Sequence, residues 1–241
     1  MKTGFLLLPG GGMSSWIWTK LVPLLNAPAV TPEYRLPENT LKSRTESTIR
    51  DCVEHHRALM DASGFDRFVL VGHSGAGALA AAIARAEPER TAAVVYISAN
   101  IPGNHKTTLD SLPFLIRKMN RRAFKAQVKT DSAPLADGAV MFRKYFCNTC
   151  DEDTIGFILA HRRFSEPLCL AFESFDWDGF PQVRQLYVLL ALDNTQDEDQ
   201  QKGMMKNLGI TESRTIESDH LPMLSRPEEL AAILNSVLGE V

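Results

Sequence analysis

Short apolar runs separated by longer polar segments make up most of the chain. Each run contains few or no polar residues, and three of the four are bounded on at least one side by glycine, proline or aspartate. The runs are Phe5 to Leu8, Phe68 to Val71, Ala93 to Ser98 and Leu186 to Leu192. Continuous apolar runs of four to eight residues are typical of strands buried on both faces, as in a parallel sheet. We therefore predict that these four runs are buried strands.

The segments between the runs carry helical signals. Glu46 to Ser63 is rich in charge and has apolar residues at helical intervals, and Ala76 to Glu87 is rich in alanine and ends before a proline. Near the C-terminus, Ser225 or Arg226 is placed to cap the helix EELAAILNSVL, and Pro227 lies in its first turn. Strands that alternate with helices predict an α/β fold with a doubly wound, mostly parallel sheet.

This alternation stops between about residues 103 and 180, where the pattern is helical or irregular. We predict a single domain, with a core of residues 1–102 and 181–241 and an inserted helical cap of residues 103–180. One cap segment carries six basic side chains and no acid: Arg117, Lys118, Arg121, Arg122, Lys125 and Lys129. A basic amphipathic helix can bind a membrane surface or an anionic ligand, but we favour a solvated outer face.

Composition and charge exclude several classes of protein. The chain has 241 residues, of which 44% are hydrophobic, and a formal net charge of -3. This balance excludes disorder and gives no general attraction to nucleic acid, so we expect no nucleic-acid partner. The first apolar run is too short for a signal peptide or a membrane span, so we expect a cytoplasmic protein without an integral membrane segment.

The cysteines give little support for a metal or redox site. Cys147 and Cys150 form a C-x-x-C motif, but no second C-x-x-C or H-x-x-x-H completes a zinc site. We favour two ordinary reduced thiols over a redox pair, because the motif lies in the polar stretch FCNTCDED rather than early in a βαβ unit. We expect no metal and no cofactor.

The most informative segment is FVLVGHSGAGALAAAIA, in which a predicted strand passes through Ser74 into a predicted helix. A serine held on such a sharp, strained turn needs very small residues two positions before and after it. Gly72 and Ala76 meet this requirement, although the strict pattern has glycine at the second place. We therefore predict that Ser74 is a nucleophile.

A nucleophilic serine needs a base, and the base needs a carboxylate to orient it. Of the six histidines, His220 is our candidate base, because it lies in the loop ESDHLPML between a predicted short strand around Ser213 to Ile216 and the final helix. Asp193, directly after the run LYVLLAL, is the candidate acid. Alternatives in the following polar loop are Asp197, Glu198 and Asp199. Asp219 is adjacent to His220, but neighbours in sequence seldom point together, so we interpret it as a turn former.

An ester carbonyl becomes negatively charged during attack and needs two backbone donors around it. The N–H of Gly75 directly follows the serine. The loop Pro9-Gly10-Gly11-Gly12, which we call the glycine loop, follows the first strand and exposes backbone N–H groups. Gly11 is our candidate for the second donor. A phosphate-binding loop is disfavoured, because neither G-x-G-x-x-G nor G-K-[ST] is present.

Together, the motifs FLLLPGGG, VGHSGAG, LLALD and SDHLPMLSRPEEL resemble those of the α/β-hydrolase superfamily along the whole chain. LLLPGGGMSSWIWTKLVPLL and FCNTCDED resemble the branch that holds plant methyl esterases, hydroxynitrile lyases and bacterial carboxylesterase relatives. The resemblance implies an α/β-hydrolase fold in which Ser74 is the nucleophile, His220 the base and Asp193 the acid. It also implies an oxyanion hole made of the amides of Gly11 and Gly75.

Two departures from the family pattern bear on function. Pro9 stands where the family usually has histidine, which implies a change in loop stiffness and pocket polarity rather than lost catalysis. Cyanide-releasing relatives have a lysine after the catalytic histidine and a threonine in the oxyanion loop. Leu221 and Gly11 occupy those places here, which argues against lyase chemistry.

These observations predict a serine hydrolase that cleaves a small hydrophobic ester through an acyl-enzyme. Candidate substrate-binding residues lie near the serine, in the glycine loop and in the cap: Met13, Trp16, His73, Met119, Phe124, Phe146 and Phe157. Alternatives are a binding protein with weak turnover, or a lyase or cofactor-free oxygenase on the same scaffold. The expected partner is a small-molecule ester, and a homodimer remains open.

Overall fold

The computed structural model describes residues 1–33, 40–111, 114–127, 138–162 and 166–241. The described strands are β1 Thr3–Leu8, β2 Ala29–Val30, β3 Arg67–His73, β4 Thr91–Ile97, β5 Lys106–Thr107, β6 Ser174–Phe175, β7 Arg184–Leu190 and β8 Glu212–Ile216. The described helices are α1 Leu41–Glu46, α2 Ile49–Ala62, α3 Gly77–Ala86, α4 Phe114–Gln127, α5 Gly138–Tyr145, α6 Glu152–His161, α7 Cys169–Phe172, α8 Glu198–Asn207, α9 Pro222–Ser225 and α10 Pro227–Gly239.

Six strands form one parallel sheet in the order β2-β1-β3-β4-β7-β8. Alternate residues of β1 enter different cores, with Phe5 and Leu7 on one face and Leu6 and Leu8 on the other. Side chains of α10 pack on the first face, and side chains of α2 and α3 pack on the second. The predicted doubly wound parallel sheet is therefore confirmed.

The four apolar runs form strands, and so does the short segment predicted around Ser213 to Ile216, but several boundaries differ from the prediction. β4 ends at Ile97 and β7 ends at Leu190, one and two residues before the ends of their apolar runs. Leu192 is 44% exposed, so its hydrophobicity does not mark a buried position. The predicted helix over Glu46 to Ser63 begins at Ile49, because Thr48 caps it and separates it from α1.

The chain between β4 and β7 contains α4 to α7 and a short antiparallel pair, β5 and β6, which the apolar pattern did not predict. The division into a core and a cap stays a prediction. On the basic helix α4, Arg117 pairs with Asp110, and Arg121 and Lys125 lie over the ring of Phe172. Lys129 lies outside the described residues. No helix within the described ranges combines the length and apolar character needed to cross a membrane.

Candidate active site

Ser74 lies where β3 ends and a single 3-10 turn leads into α3. Its φ is +50°, in the left-handed region that L-residues seldom adopt. The turn is crowded, because a Cβ atom on Gly72 would lie 2.8 Å from the Ala80 Cβ and 2.9 Å from the Ala76 carbonyl oxygen. Small residues at these positions thus allow β3 and α3 to meet at Ser74.

His220 lies in the loop between β8 and α9, and its ring reaches the serine. The Ser74 Oγ is 2.9 Å from His220 Nε2, and His220 Nδ1 is 2.6 Å from Asp193 Oδ2. A proton on Nδ1 donates to the carboxylate and leaves Nε2 to accept from the serine hydroxyl. The structure thus brings together the three residues predicted as nucleophile, base and acid.

The Asp193 carboxylate is held in place by several donors besides His220. The Ser98 hydroxyl donates to Oδ2 over 2.7 Å, and the backbone N–H and hydroxyl of Thr195 donate to Oδ1, each over 2.7 Å. Burial alone would raise the pKa of Asp193, but His220 and these hydrogen bonds outweigh it and hold the pKa below its usual value. The carboxylate is therefore charged at neutral pH.

Asp197 and Glu198, two of the alternative acids, belong to the start of α8. Asp197 is the N-cap residue, and its side chain accepts from the Gln200 N–H. Glu198 pairs with Lys202 on the same helix, and Asp199 also lies in the first turn. This loop therefore has a helix-capping role, and Asp193 is the acid that contacts His220.

Asp219 is fully buried and holds the backbone around His220. It accepts from the N–H groups of Thr149 and Leu221 and from the hydroxyl of Ser225. The Cys150 thiol donates to the same carboxylate over 3.4 Å. Asp219 thus forms the turn expected from the sequence and also ties the His220 loop to the segment before α6.

The C-x-x-C thiols contribute to this contact as reduced groups. All four cysteines of the chain are free. A hydrogen bond with Cys147 and burial both raise the pKa of Cys150, so its thiol stays protonated and can donate to Asp219 at neutral pH. A protonated thiol is a poor nucleophile, which agrees with the preference for ordinary thiols.

The glycine loop lies directly against the serine. A Cβ on Gly10 would lie 2.8 Å from both the Ser74 Cβ and the His73 Nδ1, so only glycine fits there. Gly11 and Gly75 are both half-buried. Their role as oxyanion donors stays a prediction.

The predicted substrate-binding residues fall into different surroundings. Phe146 meets the His220 ring edge-on at 5.2 Å between centroids, and Trp16 meets Phe157 at 5.6 Å. Met13 is buried in the core next to the glycine loop, whereas Phe124 packs against Phe172. Met119 belongs to α4, but its side chain lies outside the described part of the chain.

His73 is buried beneath the loop that carries His220. Its Nε2–H donates to the His220 carbonyl oxygen over 2.8 Å, and the two rings lie 4.8 Å apart. Burial and the neighbouring His220 lower the pKa of His73 to about 3, so the ring is neutral at physiological pH. Its observed contact supports the His220 backbone.

A family model described as the alpha/beta hydrolase family matches residues 5–233. The chain belongs to the α/β-hydrolase family. Polyneuridine aldehyde esterase of Rauvolfia serpentina is 26% identical over 95% of this chain and 93% of that protein. Salicylic acid-binding protein 2 of Nicotiana tabacum is 25% identical over 97% of both chains. These matches, together with plant methylesterases, confirm the distant resemblance to that branch.

Solved structures of other α/β-hydrolases show the same fold. An extracellular α/β-hydrolase from a Paenibacillus species superposes with a TM-score of 0.83, at 18% identity, over 98% of this chain and 99% of that one. The crystal structure of polyneuridine aldehyde esterase superposes with a TM-score of 0.75 over 99% and 100% of the two chains.

One surface group of this α/β-hydrolase has ligand atoms close enough to hold a metal ion, counting only the described residues. It consists of His105, Asp176 and Asp178, all exposed, with ligand atoms within 4.8 Å of one another. His105 already contacts Asp178, and Asp176 already pairs with Arg85. The group therefore has the character of a surface ion-pair network.

Proposed function

We propose that this α/β-hydrolase is a serine esterase that cleaves a small hydrophobic ester. The observation that carries the proposal is the continuous chain of contacts from Ser74 through His220 to Asp193, with distances of 2.9 and 2.6 Å. Relatives that are named esterases and methylesterases support an ester as the substrate class.

In the proposed mechanism, the Ser74 Oγ attacks the ester carbonyl and His220 Nε2 takes the serine proton. The charged Asp193 carboxylate stabilises the imidazolium that forms, and the amides of Gly11 and Gly75 donate to the oxyanion. His220 then returns the proton to the leaving alcohol. Water, activated by the same histidine, cleaves the acyl-enzyme and releases the acid.

Half-buried aromatic side chains beside His220 and after the glycine loop favour a hydrophobic group on the substrate. Phe146 is half-buried beside the His220 ring, and Trp16 and Phe157 are half-buried against each other where α6 meets the turn after the glycine loop. Such surfaces gain free energy when they bury apolar substrate atoms, about 25 cal/mol per Å². We therefore expect turnover to rise when apolar carbons are added to a short ester.

The proposal is tested with Ser74→Ala on a panel of p-nitrophenyl esters of increasing acyl length. We expect kcat to fall by about 10⁵-fold or more, because the nucleophile is removed. Circular dichroism and the thermal midpoint should stay close to those of the wild type. Hydrolysis by Ser74→Ala at the wild-type rate would overturn the assignment.

A binding protein with weak turnover is the second candidate, favoured by the similarity to a protein named for salicylic acid binding. A fluorophosphonate probe separates the two, because it labels only a serine activated by its base. We expect the probe to label the wild type and not Ser74→Ala. A wild type that binds salicylate but resists the probe and hydrolyses none of the esters would support the binding protein.

A further inference from the structure

Apart from the ring of Pro9, the glycine loop has no side chain with which to hold its shape. Residues 9–12 are one proline and three glycines, and Gly12 has a φ of +73°. The loop nevertheless passes so close to Ser74 that Gly10 leaves no room for a methyl group. A backbone donor in such a loop can be aimed only if contacts from elsewhere fix the neighbouring peptide groups.

Both residues that flank Gly11 have such contacts. The Gly10 carbonyl oxygen accepts from the Met13 N–H over 3.0 Å, which closes a turn within the loop. The Gly12 N–H donates to the carboxylate of Glu166, which is 154 residues away in the chain. The same Glu166 oxygen would lie 3.8 Å from a Cβ on Gly11, so it is adjacent to the candidate donor itself.

The charge of Glu166 has a nearby counterpart. Burial lowers the pKa of Arg162 to about 10, while the Glu166 carboxylate opposes that shift. The guanidinium remains charged at neutral pH and lies over the ring of Phe142, 4.2 Å from its centroid. A carboxylate next to an oxyanion hole opposes the developing negative charge, and Arg162 offsets part of that effect.

We propose that Glu166 is the positioning residue of the glycine loop. Its carboxylate fixes the Gly12 N–H and thereby aims the Gly11 N–H at the oxyanion. This inference rests on the proposed esterase function, because only a reaction that forms an oxyanion needs the Gly11 amide. Glu166 acts through a correctly placed acceptor oxygen. Its negative charge disfavours the oxyanion and is not needed for this role.

The test compares Glu166→Ala, Glu166→Asp and Glu166→Gln in the full chain. Glu166→Ala removes the acceptor, so we expect kcat for a p-nitrophenyl ester to fall about 10- to 100-fold with KM changed less than about threefold. Glu166→Asp withdraws the oxygens by one methylene, and we expect at least about a fivefold loss of kcat. Glu166→Gln keeps an acceptor without the charge and should restore kcat to within about threefold of the wild type.

A transition-state analogue separates positioning from general damage to the fold. A trifluoromethyl ketone places an oxyanion in the site, so its inhibition constant should rise in Glu166→Ala in parallel with the loss of kcat/KM. Glu173→Ala is the matched control, because Glu173 also accepts from a distant backbone N–H, that of Ile49, over 2.9 Å. We expect the control to keep the wild-type kcat and inhibition constant.

Three results would overturn the inference while leaving the esterase intact: wild-type kcat in Glu166→Ala, wild-type kcat in Glu166→Asp, or a loss in Glu166→Gln as large as in Glu166→Ala. If Glu166→Ala does not fold, the Asp and Gln variants decide. A wild type that hydrolyses no ester and is not labelled by a fluorophosphonate contradicts the proposed function itself, which distinguishes the two failures.

Discussion

Asp193 and Asp219 are both buried carboxylates near His220, but only Asp193 contacts its ring, whereas Asp219 holds the neighbouring backbone. Asp193, 26 residues before Asp219 in the chain, contacts the His220 ring through Oδ2 at 2.6 Å. Asp219, the immediate neighbour of His220, accepts from the backbone of Thr149 and Leu221. The acid next to the histidine in sequence therefore binds the backbone that follows it, whereas the sheet brings a distant acid to the ring.

The sheet explains this difference. β7 and β8 are adjacent and parallel, so the loops after their carboxyl ends meet at one edge. Asp193 comes three residues after the end of β7, and His220 comes four residues after the end of β8. Asp219 accepts from the N–H of Leu221, directly after His220, and from the N–H of Thr149, in the segment before α6. The first acid thus orients the ring, and the second fixes the backbone next to it.

The largest effect should come from Asp193→Asn. The amide group would face His220 Nδ1 as a donor and favour the tautomer in which Nε2 carries the proton and cannot accept from Ser74. We expect kcat for a p-nitrophenyl ester to fall about 10⁴-fold, with the thermal midpoint lowered only slightly. A loss of kcat below about tenfold would show that Asp193 does not control the ring.

A smaller loss of activity, with a larger loss of stability, should follow Asp219→Asn. Both Asp219 oxygens accept from buried donors, so the amide group must face one of them and leave it unsatisfied. We expect the free energy of unfolding to fall by about 1–3 kcal/mol and kcat to fall only about tenfold. Urea unfolding and steady-state kinetics measure the two quantities.

Cys150→Ala is the matched control for this variant, because it removes only the weak thiol donor to the same carboxylate. Its effects on stability and on kcat should both be smaller than those of Asp219→Asn. If Asp219→Asn lost as much kcat as Asp193→Asn without a change in stability, the two acids would not have different roles.

The apolar pattern predicted the sheet well, because buried parallel strands such as β3 consist almost wholly of apolar residues. The turn at Ser74 was also predictable, since its steric demand falls on Gly72 and Ala76, which are close in sequence. β2 and the β5–β6 pair were missed, because two-residue strands carry no periodicity.

The contacts that support the candidate site were harder to predict. Thr195 lies two residues after Asp193, and the ability of aspartate to capture the N–H two positions ahead is a local signal that could have identified it. Glu166 has no such signal, because its partner Gly12 is distant in sequence and offers only a backbone N–H. Patterns between residues close in sequence thus identify the candidate reacting groups. The residues that hold those groups in place are often distant in sequence and are seen only in the structure.

The smallest effect concerns His73, which donates to the His220 carbonyl oxygen. Its effect on the free energy of unfolding should appear only in acid. Its folded pKa of about 3 lies below the value of about 6.5 expected in the unfolded chain. Above pH 6.5 neither state is protonated and stability is complete; as the pH falls towards 3, only the unfolded state takes up the proton. Stability should therefore decrease by at most about 1.4 kcal/mol per pH unit from this group.

His73→Gln keeps a donor for the His220 carbonyl but cannot titrate, so its unfolding free energy should depend less steeply on pH between 6.5 and 4.5. His56→Gln is the matched control, because burial lowers the pKa of His56 to about 4 on α2, outside the His220 loop. Both variants should flatten the slope measured by urea unfolding. Equal slopes in His73→Gln and the wild type would mean that His73 titrates normally and does not support the loop as a neutral ring.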